Sequence, residues 1–262
     1  MKWGLMTMNL STRTRCLLGF AAILSLPSWA AAEVSLGTVT IDHASLGASD
    51  ALSVYGGGQD GADLYAGVYM LEKTGGTGMG TTWLNGPLPG FCIELNEYAP
   101  NSTVIYNVIH TEAAYDSVLG QTFGTAKAGY LQELWGKYYD PAWAGAGPFT
   151  GTQNVKAAAF AAAVWEIVYE DLPVMPLQWN VNADGAPGIA GFRAQGVNSV
   201  LANSWLHSLN GTGPKATLAV FTNNGSQNYL VAVPEPATLV LLGLGGAFSL
   251  VRHRKGKLRK TC

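Results

Sequence analysis

Cys92 is the residue best equipped for chemistry in this 262-residue chain. It is one of three cysteines, and the other two, Cys16 and Cys262, lie near the ends. A lone thiol can act as a nucleophile or a crosslinking group, or serve as a small buried hydrophobe. Carboxylates are the other candidates. Glu94, Glu166, Glu170 and Asp171 could support glycoside hydrolysis if two of them stood about 5–9 Å apart across a cleft. Glu166 follows Trp165 in an apolar run, where a backbone or hydroxyl donor would satisfy it. Glu170 and Asp171 read as a solvated helix end. His43, His110 and His207 are far apart and form no His-x-x-x-His pattern, so neither a zinc site nor any cofactor is expected. Gly-x-Ser-x-Gly, phosphate-loop and Cys-x-x-Cys patterns are absent, and no Lys-bearing helix follows Gly56-Gly57-Gly58.

The elements that must position these groups divide the chain in two. Its first half reads as β structure, with alternating runs at 34–41 and 64–71 punctuated by Gly56-Gly57-Gly58 and Gly75-Gly76. Runs at 91–95 and 103–109 continue the pattern. Three helices are predicted next: Thr125 to Tyr139 with Thr125 as N-cap, Thr152 to Glu170 with a Thr152 cap, and Phe192 to Leu209 ending at Asn210-Gly211. The second is apolar on most faces and is expected at the centre of the core, with Trp165 and Tyr169 sharing a face at i and i+4. A hairpin of 216–221 and 227–233, turning at Asn223-Asn224-Gly225, completes the body. The expected class is α+β, an antiparallel β framework carrying a helical subdomain, followed by one short C-terminal transmembrane helix. Trp135 and Trp205 are predicted core residues. Trp83, Trp143 and Trp179 sit in Gly- and Pro-rich stretches and are the expected glycan or partner surface.

Phe91-Cys92-Ile93-Glu94, taken with Ala161-Ala162-Ala163-Val164-Trp165, resembles the paired motifs of bacterial thioester domains. In that family a strand Cys and a helix Gln, four residues before a Trp, condense to an internal thioester that captures amines. The resemblance spans roughly 64–170 and departs at the decisive position, because Ala161 stands where the family has Gln. An alanine methyl offers no acyl carbon. Gln153 is two further helical turns away, about 12 Å along the axis, and is a poor substitute. Cys92 and Ala161 therefore read as a degenerate thioester pair, with Cys92 packed against the alanine-rich helix. A covalent thioester adhesin and an exported hydrolase are the alternatives to a non-enzymatic body.

Both ends carry targeting signals. Lys2, Arg13 and Arg15 precede an apolar run from Cys16 to Leu26 and the small-residue sites Ser28-Trp29-Ala30 and Ala30-Ala31-Ala32, the pattern of a secretory signal peptide over 1–32. Its reader would be the Sec translocon. At the other end, Val233-Pro234-Glu235-Pro236 precedes an uncharged run from Ala237 to Val251. As a helix that run measures roughly 22 Å, short of the ~30 Å hydrocarbon core, so snorkelling cations would make up the difference. Arg252, Arg254, Lys255 and Lys257, with Arg259 and Lys260, supply a basic anchor on the cytoplasmic side.

The order of Pro234, Glu235 and Pro236, short apolar helix and basic cluster resembles the PEP-CTERM sorting signal of exported bacterial proteins. That resemblance implies recognition by an exosortase, membrane attachment before processing, and release or transfer to the cell surface. It assigns 233–262 to the signal and 33–232 to the exported body. Three of the 15 Lys and Arg lie in the first segment and six in the last, while 16 of the 17 acidic residues lie in the body, which therefore carries a net charge of about −10. Such a surface disfavours nucleic acid as a partner and leaves surface polysaccharide open.

Overall fold

The computed structural model describes residues 34–172, 175–184 and 191–235. Its β framework begins with a long hairpin. Strand β1 (Gly37–Gly56) and strand β2 (Gln59–Gly78) pair antiparallel along their whole length around Gly57-Gly58. Both turn glycines have positive φ, 56° and 86°, the backbone a two-residue turn of this hand requires and one that L side chains resist. Gly75 and Gly76, expected as a turn, instead pair with Thr40 and Val39 inside the ladder. A Cβ on Gly76 would lie 2.7 Å from the Thr38 carbonyl oxygen. These glycines permit close backbone approach rather than reversal.

β3 (Gly86–Cys92), β4 (Val104–His110), β8 (Leu218–Thr222) and β9 (Tyr229–Ala232) join the hairpin in the order β2-β3-β9-β8-β4-β1. Because β1 also pairs with β2, these six antiparallel strands close into a ring. Residues at alternate positions fill it: Val39 and Ile41, Tyr106 and Val108, Ala219 and Phe221, Tyr229 and Val231, with Trp83 across them. Closure leaves the ring itself no open edge. A separate two-stranded pairing joins β5 (Tyr115–Asp116) to β6 (Gln121–Thr122).

The helices cover the outer face. α2 (Gly151–Tyr169) starts one turn-defining residue earlier than expected, because Thr150, not Thr152, is its N-cap. The Thr150 hydroxyl accepts from the Gln153 N–H while the Gln153 side chain accepts from the Thr150 N–H, a reciprocal capping box. Every residue from Ala157 to Tyr169 is buried, so the alanine run lets both arms of the hairpin approach closely. α1 (Gly124–Tyr138) has no side-chain cap, so Thr125 does not play the part expected of it.

The third predicted helix divides into two elements. Phe192 and Ala194 are buried while Arg193 and Gln195 face outward, a period of two, and β7 (Phe192–Gln195) pairs with the far half of β1. After Gly196, at φ 87°, Asn198 caps α3 (Ser199–His207) through its side-chain oxygen. Short amphipathic runs fit both periods, and here β1 offers an edge that decides the matter. Among the described residues the framework is thus mixed, with a seven-stranded antiparallel sheet and three α-helices. Among the described residues no helix is long and apolar enough to cross a membrane. The expected apolar helix from Ala237 to Val251, like the signal over 1–32, lies outside them.

Candidate functional site

Cys92 ends β3 and faces α2. Its carbonyl oxygen accepts from the Trp165 indole N–H at 2.9 Å, and three residues on the Leu95 N–H donates to the Tyr169 hydroxyl at 3.0 Å. The expected i, i+4 pair therefore clamps one segment, 92–95, with two side-chain bonds. Ala161 lies one helical turn before Trp165 and is buried, as is Phe160, whose ring stands 4.6 Å from that of Phe91. The fold so packs the end of β3 onto the turn of α2 that carries Ala161. The Cys92 side chain is 2 % exposed, and its thiol donates to the Glu94 carbonyl at 2.8 Å. Burial pushes the thiol up to about 12, so at neutral pH it is protonated and a poor nucleophile. Gln153 is committed elsewhere, its side-chain nitrogen donating to the Ala142 carbonyl at 2.8 Å and its oxygen accepting from the Thr150 N–H at the helix cap.

The acidic candidates separate. The charged neighbours of Glu94 are Glu97 and Asp116, and burial raises its carboxyl. Glu166 is wholly buried. One oxygen accepts from the Asn180 backbone N–H at 2.7 Å, the other has no partner among the described residues, and burial raises the group to about 8. Its neighbours are Glu170 and Asp184 instead. Glu170, expected on a solvated helix end, is buried as well, because the Gly191 N–H bonds back to the Tyr169 carbonyl beside it. Glu166 and Glu170 are buried, Glu94 is half-buried and Asp171 is exposed.

Sequence reasoning missed Glu133. It is wholly buried on α1, yet burial is outweighed by Lys137 at 2.7 Å and by the N–H groups of Gly211 and Asn210, which hold its carboxyl below the usual range. The Asn210-Gly211 pair expected to cap α3 is thus spent on Glu133. The i, i+4 spacing to Lys137 was the available signal. Lys127 and Asp116 form a second buried pair at 3.9 Å, with the Lys127 ammonium also donating to the Val168 carbonyl.

The expected tryptophan surface is corrected outright. Trp83, Trp143 and Trp179 are all buried. Trp83 fills the ring and donates to the Ala232 carbonyl at 2.8 Å. Trp143 lies in an aromatic group with Phe160, Tyr139 and Trp205, and Trp179 meets Tyr130 edge-on. Gly- and Pro-rich chain folded over the helices here, carrying its aromatics inward.

The tail begins where the last strand stops. Among the described residues Val233 makes the last backbone bond of the body, to the Thr217 carbonyl at 2.8 Å. Pro234 lacks the donor to continue the ladder, and Pro234 and Glu235 are exposed. Pro236, Arg252, Arg254, Lys255 and Lys257 lie outside the described residues. Residues 232–255 match the family model of the PEP-CTERM protein-sorting motif. The chain carries this sorting signal, which supports an exported protein recognised by an exosortase and attached to the membrane before it is delivered to the surface or beyond. No curated protein and no solved structure matches the chain.

Proposed function

We propose that this chain is a non-enzymatic protein of the bacterial cell surface or extracellular matrix, with a thioester-domain-like body that has lost its crosslink. The Sec translocon exports it, its C-terminal helix holds it in the membrane, and an exosortase processes it at Pro234-Glu235-Pro236. One observation carries the reading: the PEP-CTERM match begins at the last residue of β9, so the signal follows the folded body directly and its first motif residues are exposed. The loss of the crosslink is supported by the methyl group of Ala161 and by the burial of Cys92. Attachment to surface polysaccharide fits an acidic body whose destination is the envelope.

Fractionation tests this. Wild-type protein is expected in the envelope or medium, and a variant with Pro234, Glu235 and Pro236 all replaced by Ala is expected to stay in the membrane at its unprocessed length. Mature protein in the cytoplasm, or unchanged processing of the triple variant, would remove the reading.

A further inference from the structure

A cavity of about 400 Å³ opens at the end of the ring where β3 stops and β9 begins, lined by the start of β2, the 95–99 loop and Gln227, with Trp165 of α2 behind it. Three amides meet there. Gln59 donates through its side-chain nitrogen to the Leu95 carbonyl at 2.7 Å and to the Asn96 side-chain oxygen at 3.0 Å. This arrangement leaves the Gln59 oxygen as an acceptor and the Asn96 nitrogen as a donor. Gln227 also borders the cavity but is only 7 % exposed, and its amide oxygen is closed off from it. At the rim Tyr98 is 90 % exposed, with the Glu97 carboxylate beside it.

The lining excludes some chemistries. Among the described residues no Lys, Arg or His borders the cavity, so an anion would meet Asp63 and Glu97 with nothing there to balance it. An alkylammonium group brings only donors and would leave the Asn96 N–H unserved. A sugar hydroxyl both donates and accepts, and a pyranose ring also offers an apolar face to an exposed tyrosine. We infer that this cavity binds a neutral saccharide residue, its hydroxyls shared between Gln59 and Asn96 and its ring laid on Tyr98. This deepens the surface-protein reading by naming a ligand class, but it stands on the cavity alone and not on export.

The test uses the full chain in a non-glycosidic detergent, so its outcome is independent of fractionation. Immobilised neutral oligosaccharides of glucose, galactose, mannose and N-acetylglucosamine are compared with sialylated and uronic-acid glycans and with N-acetyl-lysine methylamide. Hits are then titrated by isothermal calorimetry. At least one neutral oligosaccharide is expected to bind, with affinity falling tenfold or more in Tyr98→Ala and in Asn96→Ala. Both positions are exposed, and unchanged circular dichroism would establish that both variants fold. Absence of any neutral-sugar binding by the folded protein would overturn the proposal. So would preference for the anionic or lysine probes, or equal affinity in both variants.

Discussion

Trp165 stands between two regions with opposite characters. On one side Cys92 is sealed, its thiol held by the Glu94 carbonyl and its own carbonyl held by the indole. On the other a cavity of about 400 Å³ is bordered by the amides of Gln59 and Asn96. The sealed side has a cysteine, but it is buried and an alanine stands at 161. The open side has no nucleophile, but it has room and unspent hydrogen-bonding capacity. Reactivity needs a partner atom and access; recognition needs vacancy and unsatisfied groups. The two have separated here across one side chain.

The largest way to break that contrast is to remove the wall. Trp165→Ala is expected to cost about 3–5 kcal/mol, read as a lowered midpoint in denaturant titration, and to let thiol reagents reach Cys92 from the cavity side. A midpoint within experimental error of wild type would show that the indole does not separate the two regions.

A pH series sharpens the same comparison through α2. Glu166 has its carboxyl raised by burial to about 8, so the folded state holds a proton that the unfolded chain releases near 4.5. Its stabilising contribution is complete below about 4.5 and is lost as pH rises toward 8, at up to about 1.4 kcal/mol per pH unit. Glu133 runs the other way. Its carboxyl is held below the usual value, so its contribution is present above the unfolded pKa and is lost as pH falls. Chemical denaturation across pH 4–9 is expected to show the alkaline slope flatten in Glu166→Gln while the acid slope remains. Glu133→Gln should do the reverse.

Smaller effects follow. Thr150→Ala removes the cap of α2 and is expected to lower stability by about 1 kcal/mol, read in the same titration. Smallest of all, native Cys92 is expected to give no reaction with a thiol-specific chromophore at pH 8, and one equivalent after denaturation. Of the two remaining cysteines, Cys16 and Cys262, each is replaced by Ser so that Cys92 is counted alone. Reaction of the folded form would contradict the seal.

The tail was the most legible part of the chain. Proline, acid, proline, an apolar run and a basic cluster are read in order along the sequence and need no tertiary partner. α2 was nearly as clear, since thirteen consecutive buried residues admit little but a central helix. The Trp165–Tyr169 pairing followed from helical spacing alone. Other features depend on contacts distant in sequence. Pairing of β1 with both β2 and β4, which closes the ring, joins residues about 40 and 70 positions apart. Phe192–Gln195 is a strand only because β1 extends far enough to receive it. Trp143 and Trp179 lie in stretches that read as surface loops, and only the packing of α1, α2 and α3 turns them inward. In the candidate site, the Cys92 motif and the Ala161 departure were visible locally, whereas the cavity beside them was not. It is assembled from β2, the 95–99 loop, α2 and Gln227, and no spacing rule joins those.

The measurement that bears most directly on the central claim is the intact mass of the mature protein recovered from envelope and medium. The account predicts a chain lacking both the 1–32 signal and the segment beyond the Pro234-Glu235-Pro236 motif, at the full mass of its remaining residues. A deficit of about 17 Da, the one ammonia lost when a thioester forms, would contradict the unlinked body, and a tail still present on the exported protein would contradict exosortase processing.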